Sequence, residues 1–156
     1  MGLQITVEPT HEPVTLEEVK IDRRITDDAE EQYLAQLNVA ARQYVEDVAG
    51  RQFVNATYAY TLDSFPTEIL TPRPPLVSVT SIQYVETLGA SVYTALTDDL
   101  QAGRIVEAYN QSWPATRESP NAVTVTYVAG YGTGDSVPAG YKKAILLLVG
   151  EMYEWR

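Results

Sequence analysis

The stretch from Pro138 onward places the tightest constraint on what this chain can fold into. Tyr141, Ile145, Leu148, Met152 and Trp155 recur at steps of four, three, four and three, a heptad-like seam on a helix. Leu146, Leu147, Val149 and Tyr153 fill much of the remaining circumference. A helix apolar nearly all round has to be covered on more than one side. The spacing predicts a helix over about 138–156 with Ser136 as its cap, ~27 Å long at 1.5 Å per residue. One side belongs to the chain's own core; the other calls for a partner or a sheet. The candidate subunit or partner interface is therefore Tyr141, Ile145, Leu148, Met152, Tyr153, Trp155 and Arg156, whose aromatic, methionine and arginine end has the composition of protein–protein hot spots.

Two further helices are legible upstream. Thr15 with Glu18 three residues on is a capping box, starting a short helix over about 16–22. Thr26, Asp27 and Asp28 offer caps for a longer helix over about 28–49. Its first turn carries Asp27, Asp28, Glu30 and Glu31, where the helix dipole favours negative charge. Tyr33, Leu34, Leu37, Ala41, Tyr44, Val45 and Val48 mark its apolar face, and Gly50 stands where a C-terminal cap belongs. Residues 1–14, with Pro9 and Pro13, read as an extended lead-in.

After Gly50 the pattern shifts to a period of two. Thr57–Leu62, Val77–Val85 and Ala122–Val128 read as strands, with weaker ones near 92–96 and 104–107 and a short edge strand near Ile69 among the prolines of 63–75. Residues 108–121 read as a long loop containing Trp113. Segregated helices and strands indicate α+β: a helical hairpin-like N-terminal part, a central antiparallel β-rich part over about 55–129, and a long C-terminal helix, all in one domain over 15–156.

Charge narrows the function. With 11 basic and 21 acidic residues in 156, the chain carries −10, and residues 1–50 hold −7 of it. Phosphate neutralisation and anionic membranes are disfavoured as modes of binding. Asp27, Asp28, Glu30 and Glu31 are the candidate acidic face, either solubilising, or repelling DNA, or meeting a basic partner. Cysteine is absent, which removes disulfides and thiolate sites. The N-terminus lacks a signal-peptide pattern, and the longest apolar run, Ala144–Val149, falls short of the ~18 residues of a membrane span, so a soluble protein is expected.

The candidates for chemistry are thin. His11, the only histidine, stands in a polar lead-in, and the G-x-S-x-G elbow of a hydrolase is missing. The pair Asp98-Asp99 reads as a turn. Gly130–Asp135 lies between strand and helix like a phosphate loop, but no Lys-Ser/Thr follows and Asp135 breaks the glycine spacing. No catalytic residue, metal or cofactor is expected. The rival readings are a small-ligand or peptide-binding α+β module, using the tyrosine-bearing strands and the Trp113 loop, and a carboxylate hydrolase drawing on Asp63, Glu86, Asp98 and Glu107.

An ordered set of stretches resembles the head–tail connector (adaptor or head-completion) proteins of tailed bacteriophages, prophages and gene-transfer agents. The set runs Val14–Lys20, Ala40–Glu46 with Gly50–Phe53, Pro72–Ile82, Trp113-Pro114 with Arg117 and Pro120–Val125, Ala129–Gly132, Val137-Pro138, Lys142–Ile145 and Tyr153-Glu154. The resemblance implies a structural virion protein and not an enzyme. It implies a homo-oligomeric ring, commonly of twelve copies, beneath the portal in the virion neck, made in the bacterial host cytoplasm. Its implied partners are other copies of itself, the portal and a stopper or tail-completion protein, with double-stranded DNA passing through unbound and no membrane involved. Such proteins often carry a tail beyond this helix that engages the portal, whereas this sequence stops at Arg156.

Overall fold

The computed structural model describes residues 1–86, 88–93, 96–99 and 103–155. The architecture is α+β. In chain order the elements are β1 (Gly2–Val7), α1 (Leu16–Arg23), α2 (Glu31–Ala49), β2 (Ala56–Leu62), β3 (Ile69–Leu70), β4 (Leu76–Glu86), β5 (Gly89–Tyr93), β6 (Leu96–Asp99), β7 (Arg104–Glu107), β8 (Val123–Ala129) and α3 (Ala139–Glu154). The expected single domain resolves into two compact units, Met1–Glu8 with Asn55–Gly130 and Pro9–Val54 with Tyr131–Arg156. Two separate apolar clusters, one in each, account for the division.

The first unit is β-rich. A five-stranded sheet has the order β1-β2-β8-β4-β5, with every neighbouring pair antiparallel, and a three-stranded sheet has the order β3-β7-β6. Alternation sets the core. Ala56, Tyr58, Tyr60 and Leu62 of β2 and Val123, Val125, Tyr127 and Ala129 of β8 turn inward together. Tyr58 and Tyr127 are direct cross-strand partners and stack at 5.6 Å. The Tyr127 hydroxyl donates to the Pro72 carbonyl at 2.5 Å, and burial pushes its pKa upward. Gly130 follows β8 at φ 142°, and a Cβ there would lie 2.7 Å from the Asn55 nitrogen, so only glycine fits.

Two expectations change here. The first residues of the lead-in form a paired strand: Leu3 and Ile5 stand opposite Tyr60 and Tyr58, and Ile5 packs on the core. Asp98-Asp99 ends a strand, β6, paired with β7, and does not form a turn.

The second unit is helical. Thr15 Oγ1 accepts the Glu18 N–H at 3.1 Å while Glu18 Oε2 accepts the Thr15 N–H at 2.7 Å, the reciprocal box read from the sequence. Gly50 caps α2 at φ 62°, as expected. α2 begins three residues later than expected, because Asp27 turns back on its own backbone and accepts the Ala29 N–H at 3.0 Å. The cap expected from Ser136 is absent. Gly134–Ser136 form one 3₁₀ turn, and Pro138 occupies the position before α3.

Candidate assembly surface

α3 divides by exposure, and the division reverses part of the expected interface. Ile145 is fully buried in its own unit together with Val149, beside Val19, Leu34 and Ala41. Tyr141 packs on Phe53 with ring centroids 4.7 Å apart, and Leu148 and Met152 pack against the same cluster half-buried. Tyr153 lies 6.4 Å from the Tyr33 ring and donates its hydroxyl to Glu30 at 2.5 Å. The heptad-like seam is thus the helix's own core contact: knobs at steps of three and four fit the unit's core as readily as a partner. Of the expected set, only Trp155 stands outside, 82% exposed. Arg156 lies outside the described residues. The outward stripe of α3 is Lys143, Leu147, Glu151 and Trp155, spaced by fours, with Leu147 58% exposed.

The four acidic residues also separate. Asp28 and Glu31 grip Lys20 of α1 at 2.5 and 2.8 Å. These carboxylates hold the Lys20 ammonium well above its ordinary pKa, and the bond from Lys20 holds Asp28 below the usual carboxylate range. Glu30 is taken by Tyr153, and Asp27 by the turn it makes. One lysine thus offsets two of the four carboxylates, and Asp27 and Asp28 remain exposed at the start of α2. On α1, Asp22 is drawn below its ordinary pKa by the Arg23 guanidinium, bonded at 2.5 Å, and then by Lys143 at 3.2 Å.

The sequence reading overlooked a buried polar network along α2. Asn38, Arg42 and Glu46 follow one another at steps of four, all nearly fully buried. Asn38 Nδ2 donates to the Val14 carbonyl at 2.7 Å. Arg42 Nε donates to Glu12 at 2.7 Å and its Nη1 to Glu46 at 2.6 Å. Glu46 Oε1 accepts the Phe53 N–H at 2.9 Å. Burial works against the Arg42 charge, and the two carboxylates outweigh it, so its pKa is raised. The network ties α2 to the segments on either side of it in sequence. Its one advance signal was the Arg42–Glu46 spacing of four. It occupies positions where a continuous apolar face would lie, and Tyr44 and Val48 consequently face outward at 59% and 72% exposure.

Of the residues behind the rival readings, Trp113, Glu107, Asp63 and Glu86 have partners within the chain, and the Asp98 side chain lies outside the described ones. Trp113 stacks on Phe65 at 4.7 Å, and its backbone N–H donates to Glu107 at 2.8 Å. Asp63 accepts the Asn121 N–H at 2.9 Å, and Glu86 accepts the Ser91 hydroxyl. His11 is exposed and meets the Thr10 hydroxyl at 2.9 Å. Among the described residues no group of three or more His, Asp or Glu side chains is placed to hold a metal ion, and no helix is long and apolar enough to cross a membrane.

No protein-family model and no curated protein matches the chain. Solved structures do. A chain in the neck of an empty gene transfer agent particle, determined with C6 symmetry, superposes at a TM-score of 0.83 with 21% identity, covering 99% of this chain and 84% of that one. A chain of the native gene transfer agent virion gives 0.81 at 20% identity, and one from the native neck with C12 symmetry gives 0.71 at 22%, both over the same shares. The fold is that of these neck and virion chains.

Proposed function

We propose that this chain is a head–tail connector of the adaptor type, a structural protein that forms a ring in the neck of a tailed phage-like particle. The observation that carries the reading is the shared fold: 99% of the chain superposes on a chain of a gene transfer agent neck. The ordered sequence resemblance supports it independently. Under this reading the ring sits beneath the portal, extends the DNA channel and gives the stopper or tail its platform. It does no catalysis. A charge of −10 suits a conduit through which duplex DNA slides without adhering.

The stripe Lys143, Leu147, Glu151 and Trp155, with Ile21 at 69% exposure on α1, is the surface assigned to neighbouring neck proteins in place of the inward seam. Native mass measurement of the chain, alone and on isolated portal rings, tests the reading. Twelve copies of 17.3 kDa would weigh about 208 kDa. A 17.3 kDa species at every concentration, with or without portal, rejects it.

A further inference from the structure

The two sheets treat their edges differently. In the three-stranded sheet one edge, β3, is only two residues long and bounded by Glu68 and by Pro66 and Pro72, and the other, β6, carries Asp98 and Asp99. Short strands, prolines and charges are the usual guards against edge-to-edge pairing. The five-stranded sheet has none of these on either edge strand. β1 reads Gly-Leu-Gln-Ile-Thr-Val and β5 reads Gly-Ala-Ser-Val-Tyr, without one charge or proline, in a chain where 21% of residues are charged. Both are exposed: Leu3 by 39%, Val7 by 55% and Val92 by 58%. Among the described residues neither has a strand on its outer side. Uncharged, β-prone segments with open backbone groups are hazards unless something covers them.

We propose that β1 of one copy pairs with β5 of the next, continuing the five-stranded sheet from subunit to subunit. This rests on the ring reading above. Four antiparallel steps separate β1 from β5, so the two edge strands run in the same direction. When copies repeat head to tail by rotation about an axis along the strands, the new pair is therefore parallel. A cyclic ring needs two unlike surfaces on each copy that complement each other, and two open edges of the same sense meet that need. Copies each carrying −10 repel, so their contacts are best made through uncharged elements. The pairing segment is Gly2–Ile5 against Ala90–Tyr93, since the register of β1 shifts after Ile5; Gln4 and Val92 then lie side by side on one face of the sheet.

Single lysines on each edge test this. Gln4→Lys blocks β1 and Val92→Lys blocks β5, and each side chain is already exposed, so melting temperatures stay at the wild-type value. Each variant alone is expected to fall from ring mass to 17.3 kDa. An equimolar mixture is expected to form a dimer and stop there, since each partner contributes one working edge. As a second readout, Gln4→Cys with Val92→Cys in this cysteine-free chain gives a covalent ladder on oxidation. Lysine variants that assemble like wild type, or rings that give no ladder, overturn the edge pairing and leave the ring intact. So does assembly by Val92→Lys when Gln4→Lys fails, since β1 is then covered by something other than β5. A wild-type chain that stays monomeric, with and without portal, rejects the ring and this inference together.

Discussion

Removing the Arg42 guanidinium should be the most damaging single change in the helical unit. Arg42 is 5% exposed and makes charge-assisted bonds of 2.7 and 2.6 Å to Glu12 and Glu46, and Glu46 is itself 3% exposed. Arg42→Met keeps an unbranched apolar stem in place and leaves the Glu46 carboxylate buried without its cation. Stranding one partner of a buried pair costs about 3–5 kcal/mol, against a total stability of about 5–15 kcal/mol for a typical domain. Urea unfolding followed by circular dichroism reads the loss as a lower midpoint at unchanged slope. Changing both partners, Arg42→Met with Glu46→Leu, should recover much of it. Recovery stays incomplete because the Phe53 N–H then loses its acceptor, a loss of about 1–3 kcal/mol. A loss below about 1 kcal/mol in Arg42→Met would put the pair in the class of surface ion pairs and refute the reasoning.

Gly150 faces the Arg23 guanidinium, so a methyl there displaces it from Asp22. Gly150→Ala should therefore yield less than the ~1 kcal/mol that helix propensity alone predicts, and the full gain should return in an Arg23→Ala background, a cycle that thermal melting closes. Trp155→Ala and Ile145→Ala should part company. The first shifts monomer stability by no more than about 0.5 kcal/mol and weakens assembly; the second lowers monomer stability by about 2–5 kcal/mol. Asp22 is held below its ordinary value of 3.8, so its contribution is present above that pH and is lost as pH falls through the lowered folded value. Asp22→Asn should accordingly flatten the acid limb of a stability–pH profile.

Local chemistry made much of the fold legible. The Thr15–Glu18 box, the Gly50 cap and the alternation of Ala122–Val128 each act within a few residues, and each appears in the structure where the spacing put it. β1 was missed because its evidence lies elsewhere in the chain: its pairing partner, β2, is fifty or more residues away. The α2 network was missed for a related reason. Arg42 and Glu46 look like a solvated pair until Glu12, the Val14 carbonyl and the Phe53 N–H close around that face. The orientation of α3 was also hidden, because periodicity locates an apolar seam without saying whether the core or a partner meets it. Ile145 met the core, and Trp155 stayed outside.

Imaging settles the central claim most directly. Particles assembled with this chain as the sole candidate adaptor should show a closed ring beneath the portal, into whose density the helical and β-rich units fit copy by copy. A neck in which that ring is missing, or is built from another chain while this one stays in solution, would contradict the account.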